Sequence, residues 1–88
     1  MEFEFDPAKS DVNKAKHGID FIEAQTMWDD TGLTILPSKY LEEMRYLGIG
    51  VIESVHWTVI FTERDSAIRL ISVRRSRENE KAIYEQNQ

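Results

Sequence analysis

The chain has 88 residues and a formal net charge of −5, with 11 lysines and arginines against 16 acidic residues. This length predicts one small domain over residues 1–88, and the 41% hydrophobic content argues against global disorder. Because cysteine is absent, a disulfide scaffold, a thiolate nucleophile and cysteine-based metal sites are excluded. The apolar runs are strand-length, well short of the roughly 20 residues of a membrane span. The acidic amino-terminal residues predict no signal peptide, and we expect a cytoplasmic protein with no membrane partner.

The amino-terminal third has the pattern of one short strand and two helices. Residues 2–5 alternate polar and apolar side chains, as a half-buried strand does. Asp6 and Pro7 favour a helix start, and Gly18 favours its end, which predicts a helix over 7–17. Asp20 and Glu23 have the spacing of a capping box, which predicts a second helix over 20–28.

From residue 33 the apolar period changes from 3.6 to 2, which indicates strands. The segment 57–64 is apolar on both faces and is expected in the centre of the sheet. Ser76 is the expected cap of a last helix. The predicted strands cover 33–36, where Pro37 ends the first of them, then 43–52, 57–64 and 67–75. Helices followed by a meander of strands and a final helix predict an α+β fold with a mainly antiparallel sheet.

The positive charge is concentrated in one segment of this acidic chain. Residues 64–77 contain five arginines and a single acid, for a net charge of +4, whereas the remaining residues sum to −9. Strict alternation along 67–75 would place Arg69 and Arg75 on one face, about 20 Å apart, and Arg74 on the other. Arg64 would lie at the opposite end of the hairpin from Arg74. Such arginines can form a phosphate site, or they can be solvated charges in surface ion pairs.

A phosphate site without metal would permit ribonuclease chemistry. Cleavage through the 2′-hydroxyl needs a base, cations for the phosphorane charge and a proton donor for the leaving oxygen. The residues available for these roles are Glu43, Glu63 and His17 as base, Arg64, Arg74 and Arg75 for charge, and His17, Tyr84 or an arginine as donor. The spacing of His17 and His56 is unlike that of a metal site, and we expect no metal and no cofactor.

Two stretches of the chain resemble the BrnT toxin family. They are FEFDPAKSDVNKAKHGIDFIEA at 3–24 and VIFTERDSAIRLISVRRSRENEKAIYE at 59–85. The resemblance implies a RelE-like fold with two amino-terminal helices and a carboxy-terminal helix packed on a small sheet. It also implies a ribonuclease toxin of a type II toxin–antitoxin system that inhibits translation. Its partners would be RNA, a BrnA-like ribbon-helix-helix antitoxin and, only through that antitoxin, operator DNA.

The family's polar motif carries over to positions in this chain. The implied catalytic residues are Arg64, Arg74, Glu63, Arg75, His17, Glu43 and Tyr84, and the implied RNA-binding residues are Lys16, Arg45, Arg69 and Arg77. Phe5 stands where the family usually has Trp, and the net charge is negative where RelE-like nucleases are generally basic. A second hypothesis is therefore a catalytically weak toxin-fold module that acts with its antitoxin as a transcriptional co-repressor.

Overall fold

The computed structural model describes residues 1–40 and 43–88. Its helical elements are α1 (Pro7–His17), a 3-10 helix (Glu23–Asp29) and α2 (Glu78–Gln86). Its strands are β1 (Glu2–Glu4), β2 (Thr34–Tyr40), β3 (Glu43–Ile52), β4 (Val55–Arg64) and β5 (Ala67–Arg75). They form one sheet in the order β1-β5-β4-β3-β2, in which β1 alone pairs in parallel. The predicted α+β class, the mainly antiparallel sheet and the central place of β4 are confirmed.

The first predicted helix is confirmed at both ends. Asp6 Oδ1 accepts a hydrogen bond of 2.9 Å from the Ala8 amide. Gly18 has a φ of +83°, and its amide donates to the Lys14 carbonyl at 2.9 Å. Only glycine takes this conformation at little cost, so Gly18 ends the helix.

The prediction of a second α-helix at 20–28 is wrong in kind. The expected capping box forms, since Asp20 Oδ1 accepts from the amides of Ile22 and Glu23, and Glu23 accepts from the Asp20 amide. The chain then continues as a 3-10 helix. In that geometry residues three apart are aligned, so Ala24 and Met27, both fully buried, point together at the sheet.

Two further local predictions are corrected. The strand expected to end before Pro37 continues to Tyr40 because β2 is the edge of the sheet, where a missing N–H is tolerated. The expected cap Ser76 lies one residue too early. Arg77 is the N-cap of α2, and its amide donates to the Glu80 carboxylate at 2.7 Å.

The core lies on one face of the sheet, here called the covered face. Trp57, Val59 and Phe61 of β4 project from it together with Leu70 and Val73 of β5. The segment 19–28 covers these side chains and contributes four buried residues, namely Ile19, Phe21, Ala24 and Met27. On the opposite face, α2 covers only the end of the sheet that holds Thr58. Among the described residues, no helix has the length and apolar character needed to span a membrane.

A β-bulge in β5 decides which arginines share a face. Ile60 pairs with Ser72 and Phe61 pairs with Leu70, so Ile71 is an extra residue. One extra residue reverses the alternation beyond it. Arg69 therefore lies on the same face as Arg74, and Arg75 lies on the covered face. The prediction that Arg69 and Arg75 share a face is wrong, because it assumed an unbroken strand.

Asn13 of α1 occupies the part of the β5 edge that β1 does not pair. Its amide nitrogen donates to the carbonyls of Val73 at 2.9 Å and Ile19 at 2.8 Å, and its oxygen accepts from the Val73 amide at 3.2 Å. The side chain is buried and pairs with β5 much as a neighbouring strand would. Asn13 thereby fixes α1 against the sheet beside the bulge.

Candidate functional site

A row of polar side chains crosses the sheet on the face opposite the core. Ser38 of β2 pairs with Arg45 of β3, and Thr62 of β4 pairs with Arg69 of β5, which pairs in turn with Glu4 of β1. Arg45 and Thr62 lie directly beyond the last β3–β4 pair, Tyr46 and Phe61, and so continue the same row. Arg69 lies 3.5 Å from the Glu4 carboxylate, and Thr62 donates to the Met44 carbonyl at 2.8 Å. Arg45 and Arg69 are two strands apart, which is about 10 Å between backbones. The backbones of two arginines therefore lie two strands apart on one surface.

An apolar strip runs beside this row. Leu47, Ile60 and Ile71 form the floor of a groove of about 270 Å³, with Arg45 and Ser72 among its other lining residues. We call the surface formed by Arg45, Leu47, Ile60, Thr62, Arg69, Ile71 and Ser72 the open face. On the open face, the arginines lie in one row and the aliphatic side chains lie in the row beside it.

Helix α1 adds a basic flank to the open face. A second groove, of about 220 Å³, is lined by Lys9, Lys16 and His17 together with Ile71 and Ser72. Because the two grooves share Ile71 and Ser72, the predicted residues Lys16 and His17 border the same surface as Arg45.

Two other predicted residues extend the open face toward the β4–β5 turn. Glu43 lies two residues from Arg45 on β3 and therefore on the same side, with its carboxylate 3.4 Å from the Arg45 guanidinium. Arg64 follows Thr62 by two residues and shares its face, and its side chain is exposed. Glu63 points to the opposite side of the sheet.

Arg74 is part of a separate network beneath α2. Its guanidinium binds the Glu80 carboxylate in a fork, at 2.8 Å and 2.9 Å. Glu80 is 6% exposed and also accepts from the Thr58 hydroxyl at 3.0 Å. The hydrogen bonds from Arg74 outweigh burial and lower the pKa of Glu80 to about 2, and the same pairing raises the pKa of Arg74. This ion pair fastens α2 to β4 and β5.

Tyr84 fastens the other end of α2. Its buried hydroxyl donates to Asp30 at 2.7 Å, and Asp30 also accepts from the amides of Val51 and Gly32. Burial and this hydrogen bond raise the pKa of Tyr84 to about 12. Burial opposes ionisation of Asp30, but its three hydrogen bonds prevail and keep its pKa below the ordinary value.

The remaining predicted residues are spread over the molecule. Arg75 lies on the covered face with its guanidinium carbon 5.5 Å from the Trp57 ring, and Arg77 is exposed at the start of α2. Arg64 pairs with Ala67, so Arg74 is seven positions further along β5, about 20 Å away. The strand register therefore places Arg64 and Arg74 at opposite ends of the β4–β5 pair.

Sequence reasoning missed several polar residues that the structure places in contact. His56 lies in β4, 3.0 Å from Glu85 and with its ring edge-on to Tyr84. No local signal marks the contact of Asp30 with Tyr84, which is 54 positions away. The position of Glu80, three residues after a helix N-cap, was an available signal.

Over residues 1–40 and 43–88, no group of three or more His, Asp or Glu side chains is arranged to hold a metal ion.

The Arg74–Glu80 pair should make stability depend on acid pH. Since the pKa of Glu80 falls from 4.5 to about 2 on folding, its contribution is complete above pH 4.5 and is lost as the pH drops toward 2. The contribution is about 3 kcal/mol. We expect Glu80→Gln to flatten the profile of unfolding free energy between pH 5 and 2, measured by urea denaturation. Glu78→Gln is the control, because the Glu78 side chain is 88% exposed. Equal slopes of unfolding free energy against pH in the two variants would contradict a role for the Arg74–Glu80 pair.

Comparison with known families agrees with the sequence resemblance. Residues 5–80 match the family described as the ribonuclease toxin, BrnT, of type II toxin-antitoxin systems. The chain belongs to the BrnT family. The match extends from the start of α1 through the open face to Glu80, and membership of a type II toxin–antitoxin family implies an antitoxin as partner. No curated protein matches the chain closely enough to be named as a relative.

Proposed function

We propose that this BrnT-family chain is a ribonuclease toxin that binds and cleaves RNA on the open face. The observation that carries the proposal is the pair Arg45 and Arg69, whose backbones lie two strands, about 10 Å, apart on the same face as an apolar strip. Arginine binds phosphate through a planar fork of N–H donors, and its guanidinium plane can also stack on an unstacked base.

The local charge supports RNA binding by an acidic protein. The open face and its flank carry Lys9, Lys16, Arg45, Arg64 and Arg69, against the carboxylates of Glu4 and Glu43. A cationic surface attracts phosphate within about one Debye length, roughly 8 Å at physiological salt, whatever the net charge of the chain. The net charge of −5 would slow the encounter with RNA.

The chemistry requires no metal ion. A base removes the 2′-hydroxyl proton, the 2′-oxygen attacks phosphorus, and the 5′-oxygen leaves with a proton, which yields a cyclic phosphate and a free 5′-hydroxyl. Arg45, Arg64 and Arg69 are the groups that would neutralise the phosphorane charge. Glu43 and His17 border the same surface and are the candidates for proton transfer.

The proposed partners follow from the family. A BrnA-like ribbon-helix-helix antitoxin would neutralise the toxin in the cytoplasm, and the complex would reach operator DNA through the antitoxin. A second candidate function is a catalytically weak co-repressor module. It is favoured by one observation, namely that Arg74 and Tyr84 are engaged in contacts that anchor α2.

RNA binding and cleavage with chelator present test the proposal. We expect Arg45→Gln and Arg69→Gln each to weaken binding and to lower the slope of log affinity against log salt by about one. Cleavage and growth arrest on induced expression should fall with them. Lys14→Gln is the matched control, because Lys14 is equally cationic, 50% exposed and outside the open face.

Two results would overturn the proposal. One is that wild-type protein, well folded and free of antitoxin, neither arrests growth nor cleaves RNA, which with retained antitoxin binding would support the co-repressor. The other is cleavage that survives in an Arg45→Gln, Arg69→Gln double variant, which would place the reaction away from the open face.

A further inference from the structure

A small cationic hollow lies at the end of the sheet remote from the polar row. It has a volume of about 140 Å³ and is lined by Ser54, Val55, His56, Arg75, Ser76 and Lys81. The turn after β3, the end of β5 and the first half of α2 meet there. From Thr62 to His56 is six residues along β4, which is about 20 Å, so the hollow is separate from the open face.

The lining of this hollow has the composition of an anion site. Arg75 and Lys81 are the two permanently charged residues of the lining, and His56 adds an imidazole at its edge. Two serines supply hydroxyl groups, and none of the described lining residues is acidic. A positively charged hollow with several N–H and O–H donors is the environment that a multivalent oxyanion requires.

Each cationic residue of the lining also contacts a residue outside the hollow. Arg75 lies over the Trp57 ring at 5.5 Å. His56 Nε2 is 3.0 Å from Glu85, and Lys81 Nζ is 3.1 Å from Glu78. These two carboxylates are 63% and 88% exposed, so solvent weakens their competition for an anion.

We propose that this hollow binds a single phosphate group. Its volume is under half of the roughly 300 Å³ at which pockets for small organic ligands begin, so it admits a phosphate but not a nucleoside beside it. The group can come from inorganic phosphate or from the terminus of an RNA whose remaining nucleotides lie outside. The inference does not depend on ribonuclease activity, because it uses none of the open-face residues.

Amide NMR during titration with inorganic phosphate, at constant pH and ionic strength, tests this site. We expect saturable shifts confined to residues 54–56, 75–76 and 81, and at least a fivefold weaker affinity in Arg75→Gln. Lys81→Gln should weaken phosphate binding similarly. Because the Lys81 side chain is exposed, this substitution should leave the protein folded, so weaker binding would not result from unfolding. Lys14→Gln should bind as wild type does.

RNA oligonucleotides with and without a 5′-phosphate distinguish the two sources of the group. If, of the two oligonucleotides, only the 5′-phosphorylated one shifts the amides of the hollow, the bound phosphate group belongs to an RNA terminus. If inorganic phosphate shifts them and neither oligonucleotide does, the ligand is the free ion. Shifts that do not saturate, that spread over all cationic residues, or that persist equally in both glutamine variants would overturn the proposal. RNA cleavage by Arg75→Gln would be measured separately, and its result would not restore a phosphate site that these titrations had overturned.

Discussion

Replacing Arg74 with alanine should lower the free energy of unfolding by about 3–5 kcal/mol, because it leaves the buried charge of Glu80 without its partner. Glu80 is 6% exposed and depends on Arg74 for two of its hydrogen bonds. Thr58 and the Arg77 amide would remain as donors, but neither carries a compensating charge. Urea denaturation of Arg74→Ala against wild type gives the difference directly.

The double variant Arg74→Ala, Glu80→Gln is the internal control for this effect. A glutamine keeps an acceptor for Thr58 and for the Arg77 amide without leaving an unpaired charge. The double variant should therefore be more stable than Arg74→Ala alone. Arg74→Ala with wild-type stability and lost cleavage would instead show that Arg74 acts on RNA.

An Arg74 variant can lose toxicity through loss of folding as well as through loss of catalysis. Arg74 was among the first residues expected to be catalytic, and that role remains a prediction. Its side chain is nevertheless engaged with Glu80 in this structure. An Arg74 variant that relieves growth arrest supports catalysis only if the protein is still folded, so stability has to be measured beside activity.

The second large effect is expected at Asn13. Asn13→Ala removes three hydrogen bonds and leaves the amide and carbonyl of Val73 and the carbonyl of Ile19 unpaired in a buried position. A buried backbone group left without a partner costs about 1–3 kcal/mol. Since water can enter beside a truncated side chain, we expect a total loss of about 3 kcal/mol.

Hydrogen exchange locates this effect within the molecule. The Val73 amide should lose protection in Asn13→Ala by more than the global change in stability, because its hydrogen-bond acceptor is gone. Lys9→Ala, an exposed change on the same helix, should remain within about 0.5 kcal/mol of wild type. If Asn13→Ala is destabilised but the hydrogen-exchange rate of the Val73 amide is unchanged, Asn13 stabilises the protein through α1 and not through its bonds to β5.

The local elements of this protein are largely determined by adjacent residues in the sequence. Asp6, Pro7 and Gly18 set the limits of α1, and the apolar patterns identified all five described strands of the sheet. These signals act over a few positions, through backbone conformations and hydrogen bonds that the neighbouring residues determine. The order of elements and the α+β class follow from them, and the family resemblance also rests on the order of such segments.

Tertiary structure alone decided which polar residues meet. The bulge at Ile71 brings both Leu70 and Val73 to the covered face, and that packing reverses the side on which Arg74 and Arg75 project. A one-residue change of register leaves composition and alternation nearly unaltered, so the strand sequence did not reveal it. Asp30 and Tyr84 are likewise joined across 54 positions by burial and a hydrogen bond. The sequence thus determined the elements and the family, whereas the faces and long-range contacts that define the candidate site depended on how the core packs.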